Sequence, residues 1–255
     1  MPRALRIKDI GMYHVINRGV ERRVVFYEEE DFDKFLEILS FVSKTYALHV
    51  HAFCLMNNHY HILLETTQEN ISDALKYLNS NYSVYFNKKH KRFGHLWQSR
   101  FYSSLLFDDE HFWIVAKYIE RNPLKANVVK KLEHYKYQSL FQYLYSSKHL
   151  SLLDTSKIKA MTKEEYYSFL NSDLAEENFE KVYTTPKVII SEGGERQILG
   201  KRIESFFEFD KDINRVKNIQ KAYDYGYTQA EIANFLNLSP SAVSKHIHKE
   251  AQNGS

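Results

Sequence analysis

His59-Tyr60-His61 sets two imidazoles two residues apart. On a strand, alternation turns both to one face and Tyr60 to the other. Two imidazoles side by side, joined by a third ligand, begin a divalent-metal site. Spacing alone leaves them open as surface histidines on a half-exposed strand, and His49-Val50-His51 repeats the period just upstream. Tyr118 and Asn122 lie four apart on a predicted helix and so share a face. A tyrosine hydroxyl can serve as a covalent nucleophile. With an ordinary pKa near 10 it needs a cation or a polarised electrophile beside it. A metal held by the histidines and Asn122 would polarise a phosphate there. The spacing permits that geometry without establishing it, and among 19 tyrosines any one can be plain packing.

The charge pattern bears on the substrate. Residues 1–146 hold 20 Lys and Arg against 16 Asp and Glu, while residues 147–255 hold 15 against 16. The excess concentrates between Lys76 and Lys136, with 12 basic and 5 acidic side chains, including Lys88-Lys89-His90-Lys91-Arg92. A solvated surface would read the same way. Yet Tyr77, Tyr82, Tyr85, Phe86, Phe93, Trp97, Phe101 and Tyr102 are interleaved with these residues. Cations for phosphates and rings for bases suit single-stranded nucleic acid.

Composition excludes several classes. The chain has 255 residues, 44% hydrophobic and 26% charged, enough apolar material for a core. Mean hydropathy is −0.50, and no stretch approaches the roughly 18 apolar residues of a membrane span. The first residues, MPRALRIKDIG, lack the apolar run of a signal peptide. One cysteine, Cys54, excludes an internal disulfide framework and a multi-cysteine metal site. A cytoplasmic protein is expected, with no membrane partner.

The elements that must position these residues follow from periodicity. Strands are expected at Met12–Asn17, His49–Met56, His59–Glu65 and Trp97–Phe107, with a turn at Asn57-Asn58. Helices are expected at Asp31–Tyr46, at Ile71–Asn87 (capped by Asn70 or Ser72), and from Asp108-Asp109-Glu110 to a stop near Asn122, before Pro123. The order β-α-β-β-α-β-α describes an α+β fold, a small antiparallel sheet with packed helices. Residues 146–196 are polar and mixed, with a helical stretch at Lys163–Leu170 and a flexible joint expected at Ile190–Glu195. Farther on, Thr228 and Glu231 have capping-box spacing, and Ser239-Pro240 opens another helix. Ile232, Ala233, Leu236, Leu238, Val243 and Ile247 would form the core of this pair, which reads as a helix-turn-helix or as an ordinary α-hairpin.

Met56-Asn57-Asn58-His59-Tyr60-His61-Ile62-Leu63-Leu64 resembles the HUH signature (His, bulky hydrophobic, His) of the small single-tyrosine transposases. More narrowly it is similar to the REP-associated tyrosine transposases. Four further segments match that pattern in order: Tyr13–Gly19, Leu96–Phe101, Tyr118–Pro123 and Leu124–Val129. The resemblance covers about residues 10–145, implies an HUH/ferredoxin-like sheet, and assigns the paired-histidine role to His59 and His61. His49 and His51 then belong to the preceding strand as structural or DNA-facing groups. The resemblance implies that His59, His61 and Asn122 hold Mg²⁺ or Mn²⁺ and that Tyr118 attacks a phosphate of single-stranded or hairpin DNA. The products would be a 5′-phosphotyrosine and a free 3′-OH, with strand transfer reversing the step. It also implies DNA contacts for Arg18, Lys88, Lys89, Lys91, Arg92, Trp97, Arg100 and Arg121.

The chain departs from the family pattern at Asn58, where Pro is common, and at Tyr60, in place of Val or Ile. Both should leave the strand course intact. The C-terminal extension, absent from some relatives, suggests a second contact with duplex DNA through Ser241, Ser244, Lys245 and His248. The expected organisation is a transposase domain over 1–146, a connector over 147–196 and an all-α helix-turn-helix domain over 197–255, acting as monomer or homodimer. The rival reading is a DNA-binding protein or regulator on a retired transposase scaffold; a metallohydrolase with activated water lacks further ligands at recognisable spacing.

Overall fold

The computed structural model describes residues 9–172, 182, 187–190, 196–199, 203–207 and 215–253. The chain divides into two units, Met1–Thr185 and Pro186–Ser255. In the first, β1 (Met12–Arg18), β2 (Leu48–Met56), β3 (His59–Thr66) and β4 (Tyr102–Leu105) form a sheet in the order β2-β3-β1-β4, every neighbour antiparallel. Helices α1 (Glu29–Thr45), α2 (Ile71–Lys89) and α3 (Asp109–Lys125) complete the expected order.

Alternation along β3 sorts the two faces. Tyr60, Ile62 and Leu64 turn toward α1 and α2, where the Tyr60 ring meets Phe35 and its hydroxyl donates to Asn79 Oδ1 at 3.0 Å. Phe26, Phe32, Phe35, Tyr82 and Phe86 fill that layer with interlocking rings. Leu63 lies on the other face and packs with Ala52, Cys54 and Met56 of β2 against Phe112, Val115, Ala116 and Ile119 of α3. Each large apolar side chain buried there stabilises the fold by roughly 1.5–3 kcal/mol. An irregularity between Val50 and Ala52 shifts the β2 register and brings Ala52, Cys54 and Met56 onto the α3 face. His59 and His61 share that face with Leu63, so α3 covers the histidine side of the sheet.

Residues 132–172 cap the exposed edge of β2. Leu55 N–H donates to the Tyr137 carbonyl at 2.9 Å and Phe53 N–H to Ser139 Oγ at 2.9 Å. The stretch includes α4 (Ser139–Tyr145) and α5 (Lys163–Asn171), and α5 starts with a Thr162–Glu165 capping box. Ser156 Oγ donates to the His51 carbonyl at 2.8 Å, so residues 147–172 belong to the packing of the first unit. An open edge would leave a row of unpaired backbone groups; this layer satisfies them.

Several elements differ from expectation. Helix α3 runs through Pro123 to Lys125, because Pro123 is buried and the final turn closes through Ala126 N–H to the Asn122 carbonyl. β4 covers only Tyr102–Leu105, and Trp97 makes an isolated bridge to Gly19 instead of a continuous strand. Asn70 stands at the N-cap of α2 but gives its amide to the Tyr46 carbonyl. The second unit begins earlier than residue 197 and opens with a hairpin of β5 (Lys187–Ile190) and β6 (Arg196–Leu199), ahead of its helices. The expected joint at Ile190–Glu195 lies, past Ile190, outside the described residues.

The helices of the second unit are α6 (Arg215–Tyr225), α7 (Gln229–Phe235) and α8 (Pro240–Asn253). Ile219, Ala222, Ile232, Ala233, Val243 and Ile247 make its core. Thr228 and Glu231 form the capping box of α7. The short turn to α8 puts Asn237 in the left-handed region and lets Ser239 Oγ accept Ala242 N–H.

Candidate active site

Three imidazoles and one phenol meet where β1 and β3 run beneath α3. The His59 and His61 rings lie 5.0 Å apart between centroids, and Tyr118 presents its ring to His61 at 5.6 Å. The third imidazole is His14 of β1, whose ring is 5.2 Å from His61 and 6.0 Å from Tyr118. Its Nε2 lies 3.0 Å from His61 Nδ1. In the β1–β3 register His14 stands opposite Leu63, and His61 opposite Ile16, so the two histidines are diagonal neighbours.

Burial keeps all three rings neutral. Desolvation lowers the pKa of His14 to about 3. Desolvation, helped by the charge of Arg18, lowers His59 to about 4. His61 is held well below the ordinary value by burial and by the neighbouring His14, His59 and Arg18. Neutral imidazole is the metal-binding form. Asn122 donates Nδ2–H back to the Tyr118 carbonyl at 2.9 Å, which leaves its amide oxygen for another partner. The donor set of two neutral imidazoles and an amide oxygen fits a divalent cation.

The helix that carries Tyr118 is tied down from its buried side. Lys117 Nζ donates to the Ser172 carbonyl at 2.6 Å and to its hydroxyl at 2.7 Å. Glu120, fully buried, accepts from Ser139, Leu140 N–H and Tyr166. Arg121 gives Nη1–H to the Leu170 carbonyl at 2.7 Å, so it anchors α3 to α5. On the open side, Lys125 lies two turns beyond Tyr118 with Nζ 5.3 Å from the phenol ring.

Arg18 stands opposite His59 in the register and is exposed. Gly19 makes this corner: a Cβ there would lie 2.3 Å from the Arg23 carbonyl oxygen. Gln98 N–H donates to the Arg18 carbonyl at 2.9 Å, joining the corner to the next loop. That loop and α2 enclose a cleft of about 640 Å³ lined by Asn79, Ser83, His95, Trp97, Gln98 and Arg100. Trp97 is fixed there by Nε1–H to the Asn79 carbonyl at 3.1 Å and by Tyr60 at 5.5 Å.

The basic residues divide by role. Lys88 and Lys91 are exposed, and Phe93, 95% exposed, projects between Lys91 and Gly94, both at positive φ. Arg92 lies over the Phe86 ring. Lys89, by contrast, meets Glu28 and Glu30 at 2.7 Å each and Asp31 at 3.5 Å. Glu28, Asp31 and His90 bring ligand atoms within 4.8 Å of one another, the one such cluster of His, Cys and carboxylate groups among the described residues. There the Lys89 ammonium already takes the place of a cation, and Asp31 caps α1. His51 is buried against Glu65 at 3.2 Å, and His49 lies 3.8 Å from the same carboxylate, away from the His59 pair.

In the second unit Ser241 and Lys245 are exposed and Ser244 is half-buried, while the side chain of His248 is outside the described residues. In the sequence His14 stands out only as part of the Tyr13–Gly19 segment and Asn58 only as a departure from the family pattern, and Lys117, Glu120 and Lys125 carry no assigned role. Helical spacing could have found Lys125, but nothing local marks Lys117 or Glu120.

No curated protein matches the chain. Among solved structures, one of a REP-associated tyrosine transposase bound to a REP hairpin is similar with a TM-score of 0.48 and 15% identity, over 57% of this chain and 86% of that one. A "putative transposase" from Deinococcus radiodurans R1 is similar with a TM-score of 0.34 and 22% identity, over 48% of this chain and 97% of that one. The family described as transposase IS200-like matches residues 9–122, which hold His14, His59, His61, Tyr118 and Asn122. Over residues 9–122 the chain is similar to the transposase IS200-like family.

Proposed function

We propose that the protein cuts and rejoins single-stranded DNA through a covalent bond to Tyr118. The observation that carries this reading is the cluster of Tyr118 with His59 and His61, ring centroids 5.6 and 5.0 Å apart in sequence along the group. His59, His61 and the Asn122 amide oxygen would hold Mg²⁺ or Mn²⁺. A bound cation would polarise the scissile phosphate and screen its charge. Tyr118 Oη attacks phosphorus, the Oη–P bond forms and the P–O3′ bond breaks. The phenol proton leaves, and a proton is delivered to the departing O3′ to give a free 3′-OH. The retained phosphodiester energy lets a new 3′-OH reverse the step without a nucleotide cofactor. Arg18 and Lys125 would serve as phosphate contacts beside the attacking group, Lys125 with its Nζ 5.3 Å from the phenol ring.

DNA would lie along the Trp97–Arg100 cleft and the basic loop of Lys88, Lys91, Arg92 and Phe93, where cations meet phosphates and rings stack on unpaired bases. Hairpin DNA is the substrate form implied by the sequence resemblance. In this reading residues 1–146 carry the chemistry. Residues 197–255 supply a helix-turn-helix contact to duplex DNA through Ser241, Ser244, Lys245 and His248 on α8. No helix among the described residues is long and apolar enough to cross a membrane.

The test is covalent trapping. The protein is incubated with labelled single-stranded hairpins from the flanks of its own gene, with Mn²⁺ or with chelator, and resolved in SDS. A metal-dependent adduct that disappears in Tyr118→Phe is expected. Tight binding of the hairpins with no adduct would overturn the enzyme in favour of the retired scaffold.

A further inference from the structure

A neutral imidazole offers a metal only the nitrogen that lacks a proton, and the partner of the other nitrogen decides which that is. His59 and His61 are alike in this respect. His61 turns Nδ1 to His14, and His59 turns Nδ1 to Asn58 Oδ1 at 2.6 Å. In both rings Nε2 is therefore the nitrogen left over.

For His59 the proton position follows from the amide. Asn58 Nδ2 donates to the Arg22 carbonyl at 3.2 Å, which aims Oδ1 at the histidine. An amide oxygen only accepts, so His59 Nδ1 carries the hydrogen. For His61 the same nitrogen is engaged: His14 Nε2 lies 3.0 Å from His61 Nδ1, so the neighbouring ring takes up that edge of the imidazole.

We infer that Asn58 and His14 are positioning residues: each engages Nδ1 of its partner, His59 or His61, so that both rings turn Nε2 to one divalent cation. His14 reaches the site from a different strand, and Asn58 from the turn before His59. The inference rests on the metal reading above for what occupies the site, but the Nδ1 contacts themselves do not.

The experiment uses the full chain in two measurements. Metal-free imidazole ¹⁵N–¹H correlation spectra report the tautomer of each ring; His59 and His61 are expected as Nδ1–H. Mn²⁺ titration, followed by electron paramagnetic resonance, reports affinity. His14→Phe keeps a flat ring without an acceptor, and Asn58→Ala removes the amide; each should weaken Mn²⁺ binding about 10–100-fold. His14→Gln restores an acceptor oxygen and should recover most of the loss. A purely structural His14 would lower the melting temperature of His14→Phe while leaving the His61 tautomer and Mn²⁺ affinity as they were, and that outcome overturns the inference. So does an Nε2–H tautomer at His61 in the unmodified chain. Nδ1–H tautomers in an unmodified chain that binds no Mn²⁺ would overturn the metal reading, and with it the presentation of Nε2 to a cation.

Discussion

Glu120 accepts a hydrogen bond from the Tyr166 hydroxyl at 3.1 Å, which joins the helix of Tyr118 to α5. The carboxyl is fully buried, and desolvation pushes its pKa up from 4.5 to about 7 against the pull of Ser139, Leu140 N–H and Tyr166. The rigidity of α3 thus depends on a group that titrates near neutrality.

The pH dependence has a definite sign. A carboxyl with a folded pKa above its unfolded value binds its proton more tightly in the fold, so its stabilising effect is complete below about pH 4.5 and is lost as pH rises toward 7. At about 1.4 kcal/mol per tenfold, the span is about 3 kcal/mol. Urea unfolding of Glu120→Gln and the unmodified protein at about pH 5 and about pH 8 measures it. The stability difference between the two should move by about 3 kcal/mol in favour of the variant at the higher pH. Parallel curves would place the titration elsewhere.

Tyr118→Phe removes one hydroxyl from a half-buried ring whose contacts with His61 and His14 are made through the ring itself. The fold and the DNA surface should survive, with hairpin affinity changed by about twofold or less. The SDS-resistant adduct should vanish entirely. A residual adduct in this variant would point to a different nucleophile.

The two lysines Lys89 and Lys91 sit two residues apart and should behave differently. Lys91 is exposed, so Lys91→Ala should weaken single-stranded DNA binding and reduce the salt slope by about 0.7. Lys89 holds Glu28 and Glu30, so Lys89→Ala should lower the melting temperature with little change in slope. Binding isotherms over a series of salt concentrations, alongside thermal melts, separate the two.

In the second unit, Ile232 is fully buried and Lys245 is exposed on α8. Ile232→Ala should cost about 2–5 kcal/mol and loosen the three-helix core. Lys245→Ala should leave circular dichroism unchanged and weaken duplex binding across sequences, lowering its salt slope by about 1. Equal duplex binding by both variants and the unmodified chain would remove the duplex contact from this unit.

Most of the fold was legible because its determinants are local. The alternation His59-Tyr60-His61-Ile62 settles which face each side chain takes, and strand β3 follows it. The Thr228–Glu231 spacing fixes the start of α7 for the same reason, since capping is a matter of three residues. Pro123 does not end α3: it is buried within the helix, and the turn closes beyond it, with Ala126 N–H donating to the Asn122 carbonyl and Val128 N–H to the carbonyl of Pro123 itself. The roles of the basic residues were equally hidden. Arg121 and Lys89 look like phosphate contacts in a string of letters, yet each already has a partner, the Leu170 carbonyl in one case and the Glu28–Glu30 pair in the other.

The sequence by itself determined the element order, the shared face of His59 and His61, the shared face of Tyr118 and Asn122, and the basic, aromatic character of the region around them. Those properties depend on residue type and on periods of 2 and 3.6 residues, which a chain carries along its own length. Only the tertiary structure decided that Tyr118 stands over His61, that His14 faces Nδ1 of the same ring, and that Asn58 holds the other histidine. It also decided that Lys117, Glu120 and Arg121 anchor α3 to residues about 20 to 55 positions later. Contacts of that kind arise from packing two faces together, and no local period encodes which side chains will then meet.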